Sequence, residues 1–320
     1  MLDWANSTRD APHGLASNAR HGPRRSGLLR LLIVCAAVLV TSCQPAGVLD
    51  PQGPIASAER LLLFNATAIM LVVVVPVILA TLGFAWWYRS SNARASRAWD
   101  EAYEGRIEFV TWSIPALIVI LLGGVIWIGS HQLDPFRPIA AQSKPTEVQV
   151  ISLDWKWLFI YPDQTIASVN ELVVPAEAPV HFSLTSGSVM NMFFVPQLGS
   201  MIATMNGMVT QLHLQANQPG EFYGQSAQYS GEGFSDMHFV LRAVPQDAFA
   251  QWVSTARQGG PALDRAGYSA LSQQSRNVAP FTYRAVEPNL FDAVVTQQIP
   301  PGPGPSAGRG GGGVHPRGGQ

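Results

Sequence analysis

Between residues 145 and 245, the side chains best suited to metal or acid–base chemistry are His181, His213 and His238. Each occupies the polar phase of an alternating run: His181 beside Ser183, His213 between Gln211 and Gln215, and His238 with Arg242. That phase predicts solvent-facing histidines. A thiolate copper or zinc centre needs cysteine, and both cysteines, Cys35 and Cys43, precede this region, so no such centre is expected in it. Asp236 and His238 stand two apart, which places them on one face of a strand. Ser226 and Ser230 are the nearby hydroxyls, yet no Gly-x-Ser-x-Gly elbow presents either one, and a hydrolase triad is not expected. One carboxylate stands apart. Glu108 lies at the start of a long apolar run, where a charge is costly unless solvated or paired.

The elements that must position these groups fall into three zones. Residues 1–42 read as a lipoprotein-type signal peptide. A basic flank ends at Arg30, about ten apolar residues follow (Leu31 to Val40), and the run closes in Val40-Thr41-Ser42-Cys43. This resembles a bacterial lipobox, with Cys43 as the acylated first residue of the mature chain. The polar stretch 1–23 is longer than such a signal needs and points to a start codon placed too early. Residues 43–135 then hold two apolar runs, about 61–88 and 109–128, each long enough to cross ~30 Å of hydrocarbon. Trp86, Trp87, Tyr88, Trp112 and Trp127 mark the interfaces. The connecting loop carries Arg89, Arg94, Arg97 and Arg106, against Arg60 alone before the first run, which predicts a cytoplasmic loop and both termini outside. Gly123-Gly124 is the expected point of close helix approach.

From Glu147 the pattern switches to period two. Glu147–Val150, Val180–Thr185, Thr210–Gln215 and Met237–Arg242 alternate, with Gly and Pro turn signals between them. This predicts an antiparallel β-sandwich or barrel over 145–245. Residues 246–290 read as an α-helical appendage rich in aromatics, and residues 291–320, ending in Pro-Gly repeats and a glycine run, as a disordered tail.

Composition narrows the class. Of 320 residues, 47% are hydrophobic and 13% charged, where roughly 25% charged is usual for soluble domains. A formal net charge of −1 offers no basic surplus for nucleic acid.

A helical hairpin followed by a β-domain resembles subunit II of the haem–copper oxidases, and local motifs strengthen the resemblance. Glu108-Phe-Val-Thr-Trp-Ser-Ile-Pro115 is similar to the family's opening of the second span, and Asp154-Trp-Lys-Trp157 to the aromatic cluster on the first strands of its cupredoxin domain. Tyr223 to Met237 resembles the loop that holds a dinuclear copper centre in cytochrome c oxidases. There the family reads Cys-x-Glu-x-Cys-x-x-x-His-x-x-Met, with another His upstream. Here Ser226 and Ser230 occupy the thiolate positions, Gln228 the acid, Phe234 and Asn191 the two histidines, and only Met237 is retained. Hydroxyls and amides bind copper poorly. Hydrogen bonds among Ser, Gln, Asn and backbone are expected to hold the loop instead.

The resemblance therefore implies the quinol-oxidising, bo-type branch: a membrane-anchored chain with a two-helix hairpin and a cupredoxin-like β-sandwich, itself without redox metal. Leu133-Asp-Pro-Phe-Arg-Pro138 and the aromatic appendage also resemble that branch. It implies a bacterial inner-membrane complex in which subunit I carries the haems and a catalytic copper, with subunits III and IV as further partners and ubiquinol as substrate. It also implies that Glu108 stands at a proton-channel mouth. Trp155 and Trp157 are expected to pack in the sandwich core. Two alternatives remain open, a copper-bearing cytochrome c oxidase subunit and a free-standing membrane lipoprotein binding module.

Overall fold

The computed structural model describes residues 47–95, 105–141 and 143–302. Cys43 and the signal-like segment lie outside the described residues, as does the glycine run.

Helix α1 (Pro54–Trp87) and helix α2 (Gly105–Gln132) form the hairpin. Both are apolar on every side and long enough to cross a membrane. At ~1.5 Å per residue, the 34 residues of α1 reach about 50 Å, well beyond ~30 Å of hydrocarbon. The surplus is at its start. Here α1 begins at Pro54, ahead of the apolar run that opens at Leu61, and its first turns pack on the β-domain. Pro54 suits the first helical position because its missing N–H would have no partner there. Pro76 and Pro115 lie inside the helices, as membrane helices allow. The close approach of the two helices is not at Gly123-Gly124, where an added Cβ would meet nothing within 4 Å. It is at Gly129, where a Cβ would stand 2.9 Å from Leu62.

Residues at and just ahead of the start of α1 are stitched to the β-domain through backbone. Gln52 N–H donates to the Gln197 carbonyl at 2.7 Å, Asn217 N–H to the Gln52 carbonyl at 2.8 Å, and Ala56 N–H to the Leu198 carbonyl at 3.3 Å. Gly53 is required by this fit, since a Cβ would fall 2.4 Å from the Gln215 carbonyl.

The β-domain comprises β1 (Thr146–Leu153), β2 (Lys156–Tyr161), β3 (Ile166–Val169), β4 (Glu171–Pro175), β5 (Val180–Ser186), β6 (Asn191–Phe194), β7 (Ile202–Thr204), β8 (Thr210–Leu214), β9 (Gly220–Ser226) and β10 (His238–Val244). Downstream come α3 (Gln246–Gln258), β11 (Ala262–Leu263), α4 (Arg265–Leu271), β12 (Phe281–Tyr283), β13 (Ala285–Val286) and α5 (Leu290–Val295). One sheet runs β12-β3-β2-β1-β5-β8 and faces a second, β4-β10-β9-β6-β7. The cupredoxin-like sandwich expected from the sequence is present. Most ladders are antiparallel, but β1 with β5 and β4 with β10 run parallel. Between the sheets, Trp157, Phe159, Phe193 and Phe239 form an aromatic cluster with ring centroids 5.1–6.5 Å apart.

Strand β2 is buried along its whole length. Trp157, Phe159 and Tyr161 face the inter-sheet core, while Leu158 and Ile160 face a second core under the appendage. Burial on both sides explains why Trp157 to Tyr161 does not alternate. The appendage is more than helical: β12 extends the first sheet beside β3, and β11 pairs with β13. It also continues past residue 290. Leu290, Phe291, Ala293 and Val294 of α5 are buried, so the first residues of the expected disordered tail are a packed helix. Their four apolar side chains provide the burial that the glycine-rich composition further on lacks.

Candidate functional site

The positions singled out by the loop motif converge at one end of the sandwich. Asn191 opens β6 and Ser226 closes β9, and these strands pair with Phe193 opposite Ser226. Asn191, Ser226, Ser230 and Met237 are all buried. Ser226 Oγ donates to Asn191 Oδ1 at 3.1 Å and also approaches the Gln228 carbonyl at 3.3 Å. Asn191 Nδ2 donates to the Val189 carbonyl at 3.2 Å. Ser226 N–H donates to the Met237 carbonyl at 3.1 Å, and Ser230 Oγ to Met237 Sδ at 3.9 Å. The remaining two positions stand apart. Gln228 is exposed, and Phe234 is half-buried with its ring edge-on to Tyr229. The loop thus closes on itself through hydroxyl, amide and backbone groups. Asp236 belongs to a short 3-10 turn ahead of β10, not to the strand, so the one-face pairing with His238 expected from spacing does not form.

Trp155 fills the floor of this loop. It is buried, and its backbone has φ +64°, the tight turn between β1 and β2. Its Nε1–H donates to the Ser230 carbonyl at 2.9 Å. Gly233 lies flat against the indole, where a Cβ would stand 2.2 Å from the ring. Arg276, from the appendage, places its guanidinium 5.5 Å from the ring centroid and pairs with Glu232 at 2.5 Å.

Two neighbours of Trp155 were not foreseen. Lys156 is 1% exposed, and its ammonium donates to the Gln273 carbonyl and Ser275 Oγ, each at 2.7 Å, and to the Asp154 carbonyl at 3.3 Å. Burial pulls its pKa down to about 8, against the opposing pull of the Asp154 carboxylate. Asp154 accepts from Ser188 Oγ and, at 3.1 Å, from Gln274 Nε2. This buried pair clamps residues 273–275 of the appendage onto the turn beneath the loop. The available signal was a lysine inside an otherwise apolar strand.

The three histidines do not converge with the loop. His238 is exposed and stacks on Tyr223. His181 and His213 lie directly opposite on β5 and β8, with rings stacked at 4.6 Å. His181 Nδ1 contacts Glu147 Oε2 at 2.6 Å. His213 is therefore not solvent-facing as its strand phase predicted. Its 9% exposure reflects the row Glu147–His181–His213 across three strands. Burial lowers its pKa, His181 lowers it further, and Glu147 opposes. Among the described residues, no group of three or more His, Cys, Asp or Glu side chains could hold a metal. Glu108 is exposed in the first turn of α2, where the helix dipole favours a carboxylate.

Comparison with known proteins identifies the family. Residues 159–244 match the family model for the cytochrome c oxidase subunit II periplasmic domain, and residues 257–302 match the aromatic-rich motif of that family. The cytochrome bo(3) ubiquinol oxidase subunit 2 of Pseudomonas aeruginosa is 45% identical over 84% of this chain and 81% of its own. The ubiquinol oxidase subunit 2 of Acetobacter aceti is 45% identical over 84% of this chain and 87% of its own. Among solved structures, the periplasmic domain of subunit II of cytochrome oxidase from Bradyrhizobium japonicum is 27% identical. It covers 37% of this chain and 98% of its own, with a TM-score of 0.35. On its sequence relatives and its hairpin-plus-sandwich fold, the chain belongs to the subunit II family of haem–copper quinol oxidases.

Proposed function

We propose that this chain is the copper-free subunit II of a proton-translocating ubiquinol oxidase. Its partner subunit I oxidises ubiquinol within the membrane and reduces oxygen to water at haems and a catalytic copper. One observation carries the reading. The six positions where a dinuclear copper centre would be held present two hydroxyls, two amides, a phenyl ring and a thioether. Delocalised copper pairs need thiolates and imidazoles. Asn191 and Ser226 already satisfy one another. These residues do not fit such a group, and no electron-transfer step is assigned to them.

The chain then acts as anchor and brace. The backbone ladder at Gln52 and Ala56 fixes the β-domain to the end of α1, and the Asp154–Lys156 clamp fixes the appendage to the loop. Lipidation at Cys43, an outward β-domain, contacts with subunits III and IV and the absence of a dinuclear copper centre all belong to this reading. So does a role for Glu108 at the mouth of a proton path into subunit I, supported by a carboxylate exposed at the end of α2 nearest the arginine-bearing loop.

Gentle detergent extraction, haem spectroscopy and metal analysis test the proposal together. After washing with a Cu(I) chelator to remove exchangeable copper, the expected complex contains haem and copper in the ratio set by the catalytic subunit, with no further copper pair. A stoichiometric copper pair in this chain would restore the cytochrome c oxidase reading. Migration free of any haem protein would leave a lipoprotein binding module.

A further inference from the structure

The methionines are unevenly placed. Of eight in the chain, five fall between residues 190 and 208: Met190, Met192, Met201, Met205 and Met208. Strands β6 and β7 pair antiparallel, with Asn191 opposite Thr204 and Met192 opposite Ala203. The ladder ends at Asn191 and Thr204, and Met190 and Met205 are the residues immediately beyond it on the two segments. Asn191 and Phe193 are buried, so alternation turns Met192 to the outer face; Met190 is exposed just before the strand, and Met205 follows β7 with its carbonyl accepting from Ser186 N–H at 3.3 Å. The Met208 N–H bonds to the Met205 carbonyl at 3.4 Å, closing a turn that keeps Met208 at the same end of the hairpin. Met190 is 45% and Met208 53% exposed, while Met192 and Met205 are half-buried.

We propose that Met190, Met192, Met205 and Met208 form a thioether site for Cu(I). Opposed residues on paired strands hold their Cβ atoms about 5 Å apart, and diagonal ones about 7–8 Å. The long, unbranched methionine side chain spans such gaps easily, so three or four sulfurs can meet above the strands. Soft thioethers select Cu(I) over harder cations. The segment itself offers no charged donor, because residues 178–220 contain no Asp, Glu, Lys or Arg, and the carboxylate that reaches it, Glu59, is taken up by Ser200. The only histidines in that stretch, His181 and His213, belong to the other sheet. The site is separate from the inner loop cluster. Asn191 points inward between Met190 and Met192, so β6 presents the hydrogen-bonded cluster on one face and the thioethers on the other. With neutral ligands only, binding is modest and exchangeable. It is also insensitive to pH, since a thioether has no proton to lose in the physiological range.

A purely apolar docking face predicts something different, because leucine would serve it equally well. The test is a Cu(I) titration of the full detergent-solubilised chain, with copper supplied as Cu(II) plus ascorbate against a chromophoric Cu(I) chelator. Expected are one Cu(I) per chain, equal affinity at pH 5 and pH 7, and a sulfur-only shell by copper-edge X-ray absorption. The variant carrying Met190→Leu, Met192→Leu, Met205→Leu and Met208→Leu should lose at least tenfold in affinity. It should still co-purify with the haem-bearing partner, which reports its folding. Met190→Leu and Met208→Leu alone, each at an exposed position, should weaken binding if the fourfold variant does not assemble. Undetectable Cu(I) binding, unchanged affinity in the leucine variants, or a tenfold loss between pH 7 and pH 5 would each overturn the proposal. The second result would place copper elsewhere, the inner cluster included. The third would identify imidazole ligands.

Discussion

Lys156 makes the most quantitative prediction. Its ammonium is buried between Asp154 and the carbonyl of Gln273, and burial lowers its pKa from 10.5 to about 8. The charged form is therefore disfavoured by folding. In the unfolded chain Lys156 keeps its proton up to its ordinary value. Between pH 8 and 10.5 the unfolded state binds more protons, and stability rises with pH across that window. At about 1.4 kcal/mol per pH unit, the full span is roughly 3.5 kcal/mol, of which about 2.5 kcal/mol is recovered by pH 10. Above its ordinary pKa of 10.0, tyrosine acts in the other direction. Burial raises the pKa of Tyr161 and Tyr268, and their contribution is lost once the unfolded phenols ionise. The comparison that isolates the lysine is wild type against Lys156→Met, unfolded by denaturant in detergent and followed by tryptophan emission at pH 7, 8.5 and 10. The stability difference should move in favour of wild type by about 2.5 kcal/mol from pH 7 to 10. A difference that stays constant, or moves towards the methionine variant, would refute the assignment of a buried, charge-strained lysine.

Three further outcomes follow from the same geometry. Gly233→Ala drives a Cβ into the Trp155 ring, so it should destabilise the chain by about 1–3 kcal/mol and shift tryptophan emission to the red; an unchanged unfolding midpoint would count against the close contact. Phe291→Ala opens a cavity under α5 and should cost about 3–5 kcal/mol, read as faster proteolysis of the segment after Gly260; equal protection would mean that α5 contributes little to the fold. Glu108→Ala should slow quinol oxidase turnover in an assembled complex of normal haem content, and equal turnover at every pH would remove Glu108 from the proton path.

What the sequence made legible depended on how local the cause was. The two membrane helices were plain because every face of Leu61–Tyr88 and Phe109–Ile128 is apolar, a property that needs no partner. Strand alternation located β5, β8 and β10. It misled at His213, because phase identifies the outer face but not which neighbours cover it. The parallel pairing of β1 with β5 depends on chain crossings that no local pattern encodes. Gly129, not Gly123-Gly124, is the close contact, since choosing among small residues requires knowing where the helices cross. Helix α5 was hidden by its neighbourhood, as Leu290 to Val295 precede a Pro- and Gly-rich run that dominates the composition. The loop positions were found by resemblance. The Asp154–Lys156 clamp was not, because its partners lie more than a hundred residues away.

In the copper-free reading proposed above, the loop is held by a different set of contacts from those a metal would make. A dinuclear centre would tie β6, β9 and the 226–237 loop together through a few strong bonds. Here the same three segments are joined by many weaker ones. Ser226 bridges Asn191 and the Gln228 carbonyl, Trp155 holds Ser230 from below, and Gly233 lets the loop lie flat on the indole. Each such bond contributes only about 1 kcal/mol net. The large cost would come from leaving one buried partner unpaired. Ser226 and Asn191 therefore stand or fall as a unit. Ser226→Ala strands the buried Asn191 side-chain oxygen, whereas Ser226→Ala with Asn191→Leu removes that oxygen as well and leaves the Val189 carbonyl its bond from Ser186 Oγ. The double variant should be more stable than the single one, with a coupling of about 1–2 kcal/mol. Additive losses, measured as two denaturation midpoint shifts that sum, would mean that the pair does not close the loop and that some other contact holds it.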